Sequence, residues 1–395
     1  MKDLEKILSK ALPDKIPSQI IAESGKEIHH LTEGEYLDKP KKVFHKQYTL
    51  DSNFETKGQK TDSLNIPEVI ARYAGIPLPK QEDLLFIDTE TTGLAGGTGT
   101  YIFLVGLGYF RKNSFQVDQL FLTDIDGEES FLRELHKYLA GFTTFVSYNG
   151  KSFDIPLLSG RYIFNQSENP TVNFFHLDLL HLSRRIWKNS LTDCTLGTIE
   201  KEILGLCRQV DKDIPGLEIP QEYFYYLQSR DATDMVRVLH HNYYDVISMY
   251  LLLSKLSIFL TDTDSLEFLE EILGMAKLFA EQRDFLAAEK LFRKILQLHP
   301  QHKDGRKRLS YLYKNNCDLC NAVKLWERAA EDNEIYAFIE LAKHYEHRLK
   351  NYETALKYTQ NALKIVYSSC YENTQILAEL QHRLNRLENR LTHER

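Results

Sequence analysis

The chain reads as an α/β domain built on a mixed sheet whose first three strands run antiparallel, followed by an all-α repeat domain. Three observations carry that reading. Apolar runs of strand length crowd residues 84–123 around a glycine-rich turn. A helical stripe and one more short strand follow them. In the last third of the chain, Ala288, Ala322 and Ala355 return in similar surroundings at intervals of 34 and 33 residues. A chain of 395 residues with 43% hydrophobic and 27% charged residues has the composition of a folded globular protein and the length for two or three domains. The expected divisions are an N-terminal extension over 1–80, the α/β domain over 81–260 and the helical repeats over 266–395.

Residues 1–80 have mixed charge and weak periodicity, with short helical hints at Leu4–Leu12 and Pro67–Ala74. The basic run Lys39–Lys46 is expected to be a solvated loop, with a phosphate track as the lesser alternative. From Leu84 the pattern turns to strands. LLFIDTETT passes from apolar to polar, GLAGGTGT makes the turn, and YIFLVGLGYF and SFQVDQLFLT complete an antiparallel meander. In GEESFLRELHKYLAG, Phe131, Leu132, Leu135 and Leu139 share one helical stripe, and TTFVSYN returns as a strand. This order resembles the opening topology of the ribonuclease H-like fold. Residues 155–260 read as mainly helical, with a Pro/Gly-marked loop at Asp213–Pro220, a last helix over Met235–Leu256 and a linker at 261–265.

The repeat segments AAEKLFRKIL, NAVKLWERAA and TALKYTQNAL resemble tetratricopeptide repeats in their spacing, and Ala288-x3-Phe292 with Pro300 fits the second helix of such a unit. Small residues let two helices cross closely, which is the physical reason for the pattern. An irregular helical bundle is the alternative. A repeat surface of this kind implies a protein or peptide partner.

A net charge of −7 argues against indiscriminate nucleic-acid binding through a global positive field. The longest apolar runs, such as Tyr101–Val105 and Met249–Leu253, fall far short of the ~20 residues that span a bilayer, so no membrane partner is expected. The N-terminal MKDLEKILSK has no apolar targeting core, and five cysteines suit a reducing compartment, so the expected location is cytoplasmic. Cys317-x-x-Cys320 lacks a second ligand pair for zinc and is read as two helix-packing thiols.

Chemistry concentrates in three places. Asp88-x-Glu90 ends an apolar strand, where residues i and i+2 share a face, so both carboxylates can reach one site. Asp154 opens a helix after Val146-Ser-Tyr-Asn-Gly-Lys-Ser-Phe, a place where aspartate also serves as a cap. Asp245 sits in the last helix among Val246, Ile247, Tyr250 and Leu251, and must face solvent or a polar site. Neighbouring carboxylates repel, so a fold seldom keeps them without cations.

In order and spacing, FIDTETTGL, SYNGKSFDIPLL and HHNYYDVISMYLL resemble the three exonuclease motifs of the DEDD superfamily. More closely, residues 84–256, with HLDLLHLSRRIW and DIPGLEIP, are similar to the YprB-type ribonuclease H-like domain. The resemblance implies a 3′→5′ exonuclease acting on nucleic acid, with Asp88, Glu90, Asp154 and Asp245 as ligands of two divalent cations, Mg²⁺ or Mn²⁺. The expected substrates are single-stranded ends of DNA or RNA.

The family's fifth residue is a tyrosine four before the last aspartate or a histidine five before it. Here those positions hold His241 and His240. On an unbroken helix the first lies about 40° from Asp245 and the second about 140°. His241 is therefore the expected water-orienting group or general base, and His240 takes over if the helix breaks near Asn242. Thr91 and Gly93 are expected to approach the terminal nucleotide. Asn149 is either a substrate contact or a turn former. Asp178 is read as structural, and Gly96, Gly97 and Gly99 are no P-loop because no Gly-Lys-Ser/Thr follows. Arg184, Arg185, Trp187 and Lys188 suit phosphate contact and base stacking, or an ordinary helix surface. A structure-selective endonuclease, and a repeat-based scaffold with a vestigial nuclease site, are the competing functions.

Overall fold

A computed structural model describes residues 26–50, 64–93, 99–111, 114–206, 208, 213–368 and 374–393. The helical hint at Leu4–Leu12, Gly96, Gly97, Cys207 and Cys370 lie outside the described residues. The chain divides into two compact units, Met1–Leu266 and Glu267–Arg395.

In the first unit, seven strands form one sheet: β1 (Glu35–Tyr36), β2 (Val43–Leu50), β3 (Leu84–Thr91), β4 (Ile102–Arg111), β5 (Ser114–Leu122), β6 (Thr144–Ser147) and β7 (Phe175–Asp178). Their order is β1-β2-β5-β4-β3-β6-β7. Neighbours from β1 through β3 pair antiparallel, and β6 and β7 join in parallel. The expected mixed sheet with an antiparallel β3-β4-β5 meander is thus present, and α1 (Ile28–Leu31), α2 (Glu68–Ala74), α3 (Glu128–Leu139), α4 (Asp154–Phe164), α5 (Leu179–Trp187) and α6 (Ile219–Ser229) surround it. Strand β3 lies centrally, so Leu84, Leu85, Phe86 and Ile87 are buried on both faces and read as one apolar run.

Two features differ from the sequence reading. The run Lys39–Lys46 is not simply a solvated loop, because Val43–Lys46 enter β2 and pair with β5. Two of its side chains find acids nearby: Lys42 Nζ reaches Asp124 at 3.0 Å and Asp126 at 2.7 Å, and His45 Nε2 lies 2.5 Å from Asp118 Oδ1. Strand β7, four residues long, stands where the chain reads as helical, because so short a run shows no period.

The last helix of the unit, α7 (Thr233–Thr261), is one unbroken helix of 29 residues. By length and composition alone it could cross a bilayer. In this unit it is the core helix, burying Val246, Met249, Tyr250, Leu252 and Leu253. Two glycines on one face of β4 let it lie close. A Cβ on Gly106 would stand 2.3 Å from Asn242 Oδ1, and one on Gly108 would stand 2.6 Å from Val246 Cγ1.

The second unit is helical: α8 (Leu269–Glu281), α9 (Phe285–Leu298), α10 (Lys303–Asn315), α11 (Leu319–Glu331), α12 (Ile335–His347), α13 (Tyr352–Ser368) and α14 (Thr374–His393). Ala288, Ala322 and Ala355 occupy the same place, the fourth residue of α9, α11 and α13, and are fully buried. The turns before them repeat as well. Arg283, Cys317 and Lys350 have φ of 60°, 63° and 54°, and each precedes Asp284, Asp318 or Asn351, whose side-chain oxygen accepts from a backbone N–H of the next helix. Cys317 and Cys320 are exposed free thiols, so they do not pack between helices; Cys317 is spent on the left-handed turn.

The repeated alanine sets the helix spacing, so Ala322→Leu should lower the stability of this unit by about 1–3 kcal/mol. Leu286→Ala, at a side chain 83% exposed, should leave it unchanged. Denaturant unfolding of the two variants checks this, and equal midpoints would reject the close-crossing role.

Candidate active site

The site forms where β3 leaves the core. After four buried apolar residues, Asp88, Thr89, Glu90 and Thr91 are half-buried. Asp88 lies opposite Gly106 of β4, the register shifts between Glu90 and Thr91, and Thr91 makes the last pair of the ladder. Asp88 and Glu90, two apart, project from the same face towards α7. Gly106 clears room there for Asn242, which donates from Nδ2 to Asp88 Oδ2 at 2.8 Å. Gln119 of β5 in turn donates to Asn242 Oδ1 at 2.8 Å, so a buried amide relay holds the first carboxylate.

Asp154 is brought in by the turn after β6. Asn149 adopts φ 68°, and Asp178 gathers the turn by accepting from the Asn149 N–H at 2.8 Å, the Lys151 N–H at 3.2 Å and the Leu180 N–H at 3.1 Å. Gly150 is required there, because a Cβ would stand 2.6 Å from Ser147 Oγ and 3.0 Å from Asp154 Oδ2. The Thr89 hydroxyl donates to Asp154 Oδ1 and ties the two segments.

The continuous α7 sets the third segment. His241, Asp245 and Ser248 share one stripe of it. Glu90, His241 and Asp245 each offer a ligand atom within 4.8 Å of the others. His241 Nδ1 lies 2.8 Å from Asp213 Oδ1, and its Nε2 lies 3.4 Å from Asp245 Oδ2. His241 Nδ1 also lies 3.3 Å from Arg208 Nη1, and each ring nitrogen faces an acid, Asp213 at Nδ1 and Asp245 at Nε2. His240 instead packs its ring on Tyr244, with centroids 4.6 Å apart. With α7 unbroken, His241 is the histidine that reaches the acids.

Asp88 and Asp154 stand outside the 4.8 Å group yet act on it electrostatically. Burial, then the charges of Asp245 and Asp154, push the Asp88 carboxyl well above the ordinary range. Burial, then Asp88, Asp245 and Asp154, do the same to Glu90. Burial raises Asp154 to about 6, against the hydrogen bond from Thr89. Arg208 is the guanidinium among them: it pairs with Asp245 and Glu200 and lies 3.7 Å from Asp213. The donor set is mainly hard carboxylate oxygen, and its acids are under-compensated, which fits divalent cations. Beside it opens a cavity of about 490 Å³ lined by Leu196, Gly197, Glu200, Arg208, Asp213, Ile214, Pro215, His241 and Asp245.

The other sequence-selected residues are placed as follows. Thr91 Oγ1 donates to the Gly93 carbonyl at 2.9 Å, which shapes the chain just after the acid pair. Trp187 is 1% exposed and packs in the core, so it offers no face for base stacking; Arg184 and Lys188 are exposed. Sequence reading missed Asn242, Glu200, Arg208 and Asp213. The glycines at 106 and 108 were the available signal for Asn242, since alternate glycines in a strand mark a close neighbour. No periodic signal marks the other three.

Comparison with known proteins places the domain that carries this site in a family. A family model described as RNase_H superfamily matches residues 85–257. The uncharacterized protein YprB of Bacillus subtilis (strain 168) is 36% identical over 283 residues, which cover 68% of this chain and 66% of that protein. Among solved structures, the family B DNA polymerase of the archaeon Pyrobaculum calidifontis overlaps 52% of this chain and 30% of its own at 16% identity and a TM-score of 0.34, too slight a likeness to bear on function. RNase H-like folds usually bind divalent metals, and their membership supports a nuclease-type function. Residues 85–257, with the carboxylates of β3, α4 and α7 among them, belong to the RNase H superfamily.

Proposed function

We propose that this protein is a metal-dependent 3′→5′ exonuclease that hydrolyses phosphodiester bonds at single-stranded DNA or RNA ends. The observation that carries the reading is the gathering of Glu90, His241 and Asp245 at one point, with Asp88 and Asp154 repelling each other and Glu90 beside it. Asp88, Glu90, Asp154 and Asp245 would hold two cations. When bound, these would supply Lewis-acid stabilisation of the phosphodiester and of the leaving oxygen. His241 Nε2 takes the proton of the attacking water, and Asp213 on Nδ1 steadies the imidazolium that forms. Leu196, Ile214 and Pro215 give the cavity an apolar wall for the terminal sugar and base. Thr91, Gly93 and Asn149 approach the terminal nucleotide. The repeat unit would bind a protein or peptide partner, and the site of action would be the cytoplasm.

Incubation with labelled single strands and Mn²⁺ should release nucleoside 5′-monophosphates, and Asp88→Asn or Asp245→Asn should abolish this. Cleavage of covalently closed circles would instead favour an endonuclease, and full activity in either variant would reject the assigned site. His241→Ala should cost about two to four orders of magnitude in kcat, whereas His240→Ala should cost little. Equal losses would remove His241 from its role.

The acids also set a pH dependence. A carboxyl whose folded pKa lies above its unfolded value opposes folding at every pH above the ordinary carboxylate range, and that opposition fades as the pH falls towards it. Without cations, Asp88→Asn should therefore stabilise the protein by about 1–2 kcal/mol at about pH 8, with the gain shrinking towards about pH 4. Denaturant titrations at the two pH values, with chelator present, check both the sign and the trend.

A further inference from the structure

The proposed mechanism leaves Arg208 without a part, yet it is the most heavily engaged side chain of the site. Its Nε donates to Glu200 Oε2 at 2.8 Å, and its Nη2 pairs with both Glu200 and Asp245. Its Nη1 reaches the His241 carbonyl at 3.4 Å and lies 3.7 Å from Asp213. The guanidinium is thus shared between two kinds of acid. Glu200 is 3% exposed, sits on a π-helical turn (Ile199–Leu204), and also accepts from the Ser248 hydroxyl at 2.6 Å. It is a buried anchor, and a π-turn is a common way of presenting one side chain inward at a working site. Asp245 belongs to the Glu90–His241–Asp245 group that fits a cation.

We propose that Arg208 is a positioning residue that serves as the counter-ion of Asp245 while the site is free of cations, and that a divalent cation displaces it from Asp245 while Glu200 retains it. This rests on the reading of Asp245 as a cation ligand. Arg208 holds Asp245 Oδ1, so a cation approaching this carboxylate meets the guanidinium as a competing positive charge on the same group. The planar fork of arginine suits the task, because it bridges Glu200 and Asp245 at once. Lysine keeps the charge but has no second arm. Asn242 does the comparable work for Asp88, as a neutral donor that imposes no charge of its own.

Mn²⁺ binding to the full chain, followed by the loss of the free-ion electron paramagnetic resonance signal, tests this without any turnover. Arg208→Lys and Arg208→Gln should both bind Mn²⁺ more tightly than the parent, by about tenfold. Tighter binding in Arg208→Gln alone would mean that only the charge matters, and would overturn the competition. Unchanged or weaker binding in both would overturn it too. Asp245→Asn separates this from the functional reading: if that variant binds Mn²⁺ like the parent, Asp245 is no ligand and the site assignment itself fails. Should a variant unfold, the parent still decides. In a spectrum of ¹⁵N-arginine-labelled protein, Mg²⁺ should shift the Arg208 Nη signals and leave its Nε signal protected by Glu200. An unshifted Nη would reject the displacement.

Discussion

Repulsion among carboxylates at the end of β3 is the constraint around which the first unit is arranged. Asp88 and Glu90 leave the core side by side, and Asp154 and Asp245 are brought to them from two other elements. Burial and the charges of Asp154 and Asp245 raise the cost of ionising Asp88, and burial with all three of these acids raises that of Glu90. The surrounding structure answers with donors: the Asn242 amide for Asp88, the Thr89 hydroxyl for Asp154, and the Arg208 guanidinium, shared with Glu200, for Asp245. Glu90 receives no such donor among the described contacts, and its carboxyl is pushed well above the ordinary range. A polar site built in this way is stable enough to persist and unbalanced enough to attract a cation.

Bringing the acids together depends on how closely α7 approaches the sheet. Gly106 and Gly108 give the helix a groove on β4, Asn242 and Val246 fill it, and His241 and Asp245 are thereby set at the open end of β3. A side chain at position 106 would displace Asn242 first, and Asp88 would lose its donor together with its distance from Asp245. Packing and chemistry are therefore linked through one missing Cβ. The same economy appears at Gly150, where a Cβ would press on both Ser147 and Asp154.

The framework was largely legible in the sequence, and the reasons differ by element. Strands β3, β4 and β5 were clear because their apolar runs are long and bounded by turn residues. The carboxylates were clear because an acid in an apolar strand or helix has few structural explanations. Strand β2 was hidden because its polar residues find partners in the fold, His45 at Asp118 and Lys46 at the Thr32 hydroxyl, so a paired strand carried the composition of a loop. Strand β7 was too short for any period. The Cys317 reading failed for another reason: a residue in a repeat was judged by its type, when its place before the Asp318 cap required a left-handed turn whatever the side chain. Trp187 was likewise judged by its type, although its helix face turns it into the core.

What no local pattern reveals is the set of contacts between segments. Asp213 lies in a loop 28 residues before His241, and Glu200 lies 45 residues before Asp245, yet these acids decide which way the imidazole and the guanidinium point. The choice between His240 and His241 shows how such a contact resolves an ambiguity that sequence leaves open. Helical geometry alone favours His241, by its angle to Asp245, and would hold only if the helix ran on. The unbroken α7 meets that condition, and Asp213 then orients the ring so that Nε2 faces the acids. His240, one residue earlier, spends its ring on Tyr244. The contact with Asp213 thus fixes the ring of His241 in a way that helical spacing alone leaves open.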